Sequence, residues 1–167
     1  MNNSVNIKNK IQPFRKSIKI SGDKSLSIRC VLLASQAIGI SKIKNLLESE
    51  DVLNTLKAIR SLGIKYLKRG QIYEIRGYGI NGYKIKNKLI INAGNSGTLA
   101  RLLTGLLVNI DSEIKIIGDK SLSKRDFKRV TEPLKLFGVN IKSTKGHLPL
   151  YIKGTKFLRP INYNENR

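Results

Sequence analysis

Apolar and polar positions alternate or cluster along the first half of the chain in a way that predicts a series of short elements. Strand patterns cover Ser17–Ile20, Ile40–Leu46, Ile64–Lys68 and Ile72–Arg76. Helical spacing covers Ser25–Ala37 and Val52–Leu62, with Gly39 and Gly63 placed to end the two helices. The last two strands form a hairpin about Arg69 and Gly70. The predicted order is therefore βαβαββ.

The second half of the chain repeats this order. Strands are predicted at Leu89–Asn92, Glu113–Ile117, Val139–Ser143 and Leu148–Lys153, and helices at Gly97–Val108 and Lys124–Phe137. Pro133 falls inside the last helical pattern, so that helix is expected to begin near it or to kink there. His147 lies in the closing hairpin and is interpreted as a surface turn residue.

Matching glycines and arginines indicate that the two halves are a repeat. Gly22 corresponds to Gly94, Arg29 to Arg101, Gly63 to Gly138 and Gly77 to Gly154, a period of about 75 residues. We predict an N-terminal segment at 1–16, a first βαβαββ unit at 17–88 and a second at 89–154. Residues 155–167 would begin a third unit, which suggests a chain that is cut short.

The strongly basic composition has two possible explanations, a base composition of the genome that favours lysine or a nucleic-acid partner. Lys and Arg number 32 against 11 Asp and Glu, for a net charge of +21. The abundance of Lys, Ile and Asn together is typical of an AT-rich genome, whereas a nucleic-acid partner would also favour basic charge. The lysines are spread along the chain, and the sequence has no basic motif interleaved with aromatic residues. These two observations argue against nucleic-acid binding.

Cysteine usage and hydropathy point to a cytoplasmic protein. Cys30 is the single cysteine and lies in a helical pattern, where we expect it to be buried. One cysteine forms no internal disulfide, which fits a reducing compartment. The sequence contains neither an apolar run of transmembrane length nor a secretion signal.

The segment NAGNSGTLAR, Asn92 to Arg101, is typical of an anion-binding turn between a strand and a helix. Its glycines let the backbone approach a ligand closely, and the N–H groups at a helix N-terminus favour a negative charge. Arg101 lies about one turn into the helix and adds a cation. An ordinary strand–helix turn with a polar cap would have a similar sequence.

Two more basic turns precede predicted helices. The segment SGDKSLSIR contains Lys24, Ser25 and Arg29, and the segment GDKSLSKR contains Lys120, Lys124 and Arg125. The hexapeptide GDKSLS occurs twice, but at places that are not equivalent in the repeat, so the identity is interpreted as mostly chance. Loops of this kind share one edge of an open α/β sheet, and together they predict a site for a substrate with more than one anionic group.

These turns, taken with LLESEDVLNTLKAIRSLGI and LPLYIKG in the same order and spacing, resemble the N-terminal part of the 5-enolpyruvylshikimate-3-phosphate synthase family. The resemblance covers nearly the whole chain from about Ile11. It implies an α/β fold of βαβαββ units in the inside-out barrel of the enolpyruvyl transferases, with two of the six units present.

The resemblance implies 3-phosphoshikimate 1-carboxyvinyltransferase activity, in which an enolpyruvyl group passes from phosphoenolpyruvate to shikimate 3-phosphate in aromatic amino acid biosynthesis. It further implies no metal or organic cofactor, neither nucleic acid nor membrane as partner, and a monomeric full-length enzyme. The sister enzyme that acts on UDP-N-acetylglucosamine is an alternative, although it typically carries Lys-Asn where this chain has Lys24-Ser25, and a loop cysteine. A basic nucleic-acid-binding protein is the alternative of another class.

Site residues follow from the resemblance, motif by motif. Lys24, Ser25 and Arg29 would contact shikimate 3-phosphate, and Lys24 would also act at phosphoenolpyruvate as the catalytic lysine. Asn95, Gly97 and Arg125 would line the phosphoenolpyruvate side, with Arg101 in support. No metal-binding residue is implied.

Two departures from the family pattern qualify these expectations. The family usually has proline after the arginine that Arg125 matches, whereas this chain has Asp126, which is expected to weaken the local positive field. The chain also lacks the family's third-unit motif and second domain, with the carboxylates and lysine used there for proton transfer. We therefore expect residues 1–167 to be inactive by themselves.

Overall fold

The computed structural model describes residues 6, 8, 10, 12–13, 15–85 and 88–164. We call the part from the first helix to the third strand the N-terminal half. Its elements are α1 Lys24–Gln36, β1 Ile38–Lys44, α2 Glu50–Ser61, β2 Lys65–Arg69 and β3 Ile72–Tyr78. Among the described residues its sheet has the order β1-β3-β2, and both pairings are antiparallel.

The C-terminal half runs from the fourth strand to the last. Its elements are β4 Leu89–Asn92, α3 Gly97–Leu106, β5 Glu113–Ile117, α4 Lys120–Ser123, α5 Lys128–Leu136, β6 Asn140–Thr144 and β7 His147–Lys153. The described strands of its sheet have the order β4-β5-β7-β6, in which β4 and β5 are parallel and the other pairs antiparallel. The predicted βαβαββ order of this half is confirmed, with its second helical segment divided in two.

One continuous core joins the two halves. Buried apolar side chains on α1 and α2, such as Ile28, Val31 and Ile59, pack in the same cluster as Leu99 and Leu103 of α3. Contacts of α1 with both α2 and α3 place these three helices side by side. Because each sheet is covered by helices on one face, the opposite face remains exposed, as at Ile40, Ile90 and Tyr151.

The predicted strand Ser17–Ile20 is wrong as an element of this structure. Residues 15–23 form neither helix nor strand, and Ile18 and Ile20 are 80% and 74% exposed. A strand requires a partner to satisfy its backbone groups, and none of the described strands pairs with this segment. Its attachment is a bond of 3.3 Å from the Asn45 side chain to the Ile20 carbonyl.

The helix predicted at Lys124–Phe137 is also corrected. The structure has the short α4 before it and begins α5 at Lys128, so that Pro133 lies inside α5 rather than at its start. Two aspartates explain the division. Asp119 is the N-cap of α4 and accepts the N–H of Leu122, whereas Asp126 lies just before Phe127, the N-cap position of α5, and accepts the N–H of Lys128.

Cys30 is exposed, contrary to the expectation that it is buried. Helix α1 turns Ile28, Val31, Leu32 and Ser35 toward the core, and Cys30 follows Ile28 by two positions, which places it on the far side of the helix. Leu33 is exposed on the same helix for the same reason, despite its apolar side chain.

Two predicted segments, 1–16 and 155–167, lie at the ends of the chain. Most of the predicted segment 1–16 and the last residues, 165–167, lie outside the described residues. Residues 155–164 form neither helix nor strand. The N–H of Thr155 bonds to the Val108 carbonyl at 2.8 Å and that of Arg159 to the Phe137 carbonyl at 3.0 Å, so this segment begins against the C-terminal half.

Candidate anion site at the helix N-termini

The turn between β4 and α3 is built by local hydrogen bonds. Gly94 has a φ of 58°, a conformation that favours glycine, and the Asn92 side chain accepts its N–H at 2.9 Å. Ser96 is the N-cap of α3, and its hydroxyl accepts the N–H of Leu99 at 3.3 Å. Gly97 then opens the helix, so the end of β4 leads directly into a helix N-terminus.

Two arginines flank Gly97. The Arg125 guanidinium donates to the Asn95 side-chain oxygen at 2.9 Å, and the Arg101 guanidinium donates to the Asp126 carbonyl at 3.0 Å. The Arg101 guanidinium also lies over the Phe127 ring, 4.8 Å from its centroid. Arg101 therefore secures the backbone that comes after Arg125.

Gly97 provides the space that both arginines occupy. A Cβ added there would lie 2.7 Å from an Arg101 guanidinium nitrogen and 3.1 Å from one of Arg125. Both distances are tighter than ordinary van der Waals contact, so any larger side chain at this position would displace the two cations.

The N-terminal half contributes a lysine that is already in an ion pair. The Lys24 ammonium lies 3.1 Å from a carboxylate oxygen of Asp51, the second residue of α2. One turn later on α1, the Arg29 guanidinium donates to the Ser25 carbonyl at 3.2 Å and also contacts the Ser25 hydroxyl. Arg29 and Ser25 are thus engaged with each other.

The two halves meet at an open cavity of about 390 Å³. Its lining consists of Lys24, Asp51, Asn95, Gly97, Thr98, Arg101 and Arg125. Five of the seven residues predicted for the site therefore line one cavity, whereas Ser25 and Arg29 are not among the residues that line it. Asp51 and Thr98 were missed. In the sequence, Asp51 has only the character of an acidic residue at a helix start, which suits the helix dipole, and Thr98 carries no signal beyond its place after Gly97.

Charge in the cavity is uneven. In the described part of the chain, no ion pair joins a carboxylate to Arg101 or Arg125, whereas Lys24 is paired with Asp51. The Asp126 carboxylate accepts the backbone N–H of Lys128 at 2.6 Å. Two guanidinium groups beside a helix N-terminus can bind a phosphate or carboxylate group through charge-assisted hydrogen bonds.

The two copies of GDKSLS form the same cap. Asp23 accepts the N–H of Leu26 at 2.7 Å, and Asp119 accepts the N–H of Leu122 at 2.7 Å. The repeated hexapeptide therefore has a shared local structure at its two positions in the chain. The copies differ at the cavity, because Lys24 lines it and the corresponding Lys120 does not.

His147 is not a turn residue but the first residue of β7, and its ring contacts the site segment. Its Nδ1 lies 3.1 Å from the Arg125 carbonyl oxygen. The sequence offered no signal for this contact, because His147 and Arg125 come together only when the hairpin folds back.

Shifted pKa values lie away from the cavity. A hydrogen bond from Lys68 lowers the pKa of the Glu48 carboxyl, and burial raises the pKa of the Tyr83 phenol. The described residues contain no group of three or more His, Cys, Asp or Glu side chains that could hold a metal ion. None of their helices is long and apolar enough to cross a membrane.

Comparisons with known proteins agree on one family. The sequence model described as EPSP synthase (3-phosphoshikimate 1-carboxyvinyltransferase) matches residues 8–166. A 3-phosphoshikimate 1-carboxyvinyltransferase of Vesicomyosocius okutanii is 44% identical over 148 residues, which cover 89% of this chain and 34% of that protein. The enzyme of that name from Streptococcus mutans is also 44% identical, over 88% of this chain and 35% of its own length.

A solved structure of EPSP synthase from Acinetobacter baumannii superposes with a TM-score of 0.80 at 37% identity, over 87% of this chain and 33% of that one. The chain thus spans about a third of the length of the relatives it matches. The open sheets fit part of a larger fold of this kind. The family match, the curated relatives and the solved structure together show that the chain belongs to the EPSP synthase family.

Proposed function

We propose that this chain forms the part of a 3-phosphoshikimate 1-carboxyvinyltransferase that binds the anionic groups of both substrates. The cavity lined by Lys24, Asn95, Gly97, Arg101 and Arg125 is the observation that carries the proposal. It places three cations and a helix N-terminus where a phosphorylated carboxylic acid would be held. The family name of the matched relatives supplies the reaction, the transfer of a carboxyvinyl group to 3-phosphoshikimate.

Each substrate is assigned to one side of this cavity. Asn95, Gly97 and Arg125 would hold the phosphate and carboxylate of phosphoenolpyruvate, and Arg101 would keep the Arg125 segment in place. Lys24, Ser25 and Arg29 would hold shikimate 3-phosphate. In this assignment Ser25 and Arg29, which now contact each other, would instead bind the phosphate. Lys24 would leave its ion pair with Asp51 and bind substrate oxygens.

Lys24 is proposed as the catalytic residue because it lies between the two sides and is the lysine among the residues lining the cavity. A cation at that position would stabilise negative charge as it develops during addition and elimination. We further propose a cytoplasmic enzyme that acts as a monomer, with neither nucleic acid nor membrane as partner. The predicted units 17–88 and 89–154 are kept as its repeat boundaries.

The test is a chimera in which residues 1–167 replace the matching third of the Acinetobacter baumannii enzyme. Phosphate release from phosphoenolpyruvate should depend on shikimate 3-phosphate and should not occur with UDP-N-acetylglucosamine. The matched control is the same chimera with Arg125→Ala, which should lose most of the activity. An inactive but folded chimera, or one that uses UDP-N-acetylglucosamine, would overturn the proposal.

Residues 1–167 alone provide a second arm of the test. They should bind phosphoenolpyruvate weakly and release no phosphate above a heat-treated control. Binding of DNA that weakens steeply as salt is raised would instead favour the nucleic-acid reading.

A further inference from the structure

The turn between β6 and β7 packs directly against the segment that comes after α4. The Phe127 N–H bonds to the Gly146 carbonyl at 2.8 Å. A Cβ added to Gly146 would lie 2.6 Å from Lys128 Cγ, and the φ of Gly146 is 85°. A glycine is required here both by conformation and by the closeness of the two segments.

His147 adds a second bond between the same two segments. Its Nδ1 lies 3.1 Å from the Arg125 carbonyl oxygen. A carbonyl oxygen only accepts hydrogen bonds, so Nδ1 carries the proton and donates it. The contact itself thus assigns the Nδ1–H tautomer when the ring is neutral.

The main chain around Arg125 is bonded at successive positions. Its own N–H bonds to the Leu122 carbonyl at 3.1 Å, and the next carbonyl, that of Asp126, accepts from Arg101 at 3.0 Å. The His147 bond differs from these because it comes from β7, which pairs with β6 at His147 and with both β6 and β5 further along, β5 joining from Leu150. The bond therefore joins the Arg125 segment to the first residue of a strand of the sheet.

We propose that His147 is a positioning residue for Arg125. Its Nδ1–H bond fixes the Arg125 backbone relative to the sheet, and the guanidinium then reaches Asn95 and the cavity in one orientation. The inference rests on the proposed function only in naming phosphoenolpyruvate as the ligand of Arg125. Held in this way, the side chain loses less conformational freedom on binding an anion, and the affinity is correspondingly higher.

The experiment uses residues 1–167 labelled with ¹⁵N, and it follows the Arg125 Nε–H signal and the binding of phosphoenolpyruvate by NMR. His147→Phe keeps a ring but removes the donor. His147→Asn keeps a donor close to the position of Nδ1. Lys142→Ala, on the exposed face of the same hairpin, is the matched control.

His147→Phe should shift and broaden the Arg125 Nε–H signal and weaken phosphoenolpyruvate binding about fivefold, the scale of one hydrogen bond. His147→Asn should restore the signal and bring the affinity within about twofold of the parent, and Lys142→Ala should change neither. If His147 had a purely structural role, His147→Phe would lower the melting temperature and His147→Asn would not restore the Arg125 signal or the affinity. If the phenylalanine ring disrupts the fold of the hairpin, His147→Ala, which also lacks the donor, replaces His147→Phe in this comparison.

Two outcomes would overturn the inference. One is a His147→Phe protein with the parent's Arg125 signal and affinity. The other is a folded His147→Asn protein that behaves like His147→Phe. If the parent does not bind phosphoenolpyruvate, the ligand assignment in the proposed function fails, and the Arg125 Nε–H signal alone then decides whether His147 positions that side chain.

Discussion

Two regions of this protein contain the same six residues, GDKSLS, and use them differently. The first copy, residues 22–27, begins a helix of 13 residues, and the second, residues 118–123, begins one of 4 residues. Both copies form the same aspartate cap at 2.7 Å. The cap is therefore a property of the hexapeptide, and the length of the helix is a property of the residues on its C-terminal side.

The residues after each copy account for the difference in length. The first copy continues into IRCVLLASQ, which supplies Ile28, Val31 and Leu32 to the core at helical spacing. The second continues into Lys124, Arg125 and Asp126, and the Asp126 carboxylate accepts the N–H of Lys128, the first residue of a new helix. This interruption leaves Arg125 between two helices, where its side chain reaches Asn95.

Surroundings also separate the two lysines. Both lysines are exposed, but Lys24 is paired with Asp51 and lines the cavity, whereas Lys120 is not among the lining residues. Identical local sequence thus places one lysine at a candidate site and the other away from it. The comparison shows that a motif identifies a local conformation, and that its function depends on the elements packed beside it.

The sharpest test of the comparison exchanges each lysine for alanine in the chimera. Lys24→Ala should cost several kcal/mol of transition-state stabilisation, about 3 or more, because in the proposed site it removes a cation from beside the reacting groups. The loss is read from the fall in kcat/KM. Lys120→Ala should leave kcat/KM within about threefold, the scale of a surface charge. Steady-state phosphate release measures both. A Lys24→Ala enzyme within about threefold of the parent would refute the role assigned to Lys24.

The first glycine of each copy should differ in its effect on stability. A Cβ at Gly22 would collide with the backbone carbonyl of Asn45 more closely than with any group at Gly118, where it would meet the Leu122 side chain at 2.7 Å and the Gly94 carbonyl at 2.9 Å. Backbone yields less readily than a side chain. Gly22→Ala should therefore lower the unfolding free energy by about 3 kcal/mol, and Gly118→Ala by less. Urea unfolding of residues 1–167 measures both, and the reverse order would contradict the argument.

The side chains nearest to an added Cβ at Gly97 belong to two residues that line the cavity. Because an added methyl group meets the ends of the Arg101 and Arg125 side chains rather than backbone, Gly97→Ala should lower the unfolding free energy by only about 1 kcal/mol, the scale of one hydrogen bond that those side chains make. It should weaken phosphoenolpyruvate binding roughly tenfold, the scale of one lost charge-assisted hydrogen bond. Shikimate 3-phosphate affinity should change little. Titration calorimetry on the chimera gives both affinities, and equal losses for the two substrates would indicate damage to the fold instead.

The smallest expected difference is in unfolding free energy, between the alanine variants of the two capping aspartates, Asp23 and Asp119. Asp119→Ala leaves the N–H of Leu122 without its acceptor beside a fully buried side chain, whereas Leu26, after Asp23, is 62% exposed and its N–H can bond to water. Asp119→Ala should cost about 1–2 kcal/mol of unfolding free energy and Asp23→Ala about 0.5–1. The same urea experiment measures them. A larger loss for Asp23→Ala would show that helix length, rather than burial of the cap, sets the cost.

Local patterns alone determined much of the C-terminal half. The strands Leu89–Asn92 and Glu113–Ile117 lie where their apolar runs predicted them, and α3 begins at the predicted Gly97. In these places the side-chain period, the glycines and the cap residues lie within a few positions of each other, so the local sequence is enough to determine the element. The ordered motifs also identified the family before any contact was known.

Tertiary structure decided the features that depend on partners distant in the sequence. Ser17–Ile20 has a strand pattern, but none of the described strands pairs with it, so the pattern alone did not produce a strand. The pairing of Lys24 with Asp51, the meeting of Arg101 and Arg125 beside Gly97, and the bond from His147 to Arg125 each join separate elements. The sequence determined which residue types stand at each turn and which helices they cap. Only the packing of the sheets and helices brought those turns to one cavity, because residues far apart in the chain become neighbours only when the core closes.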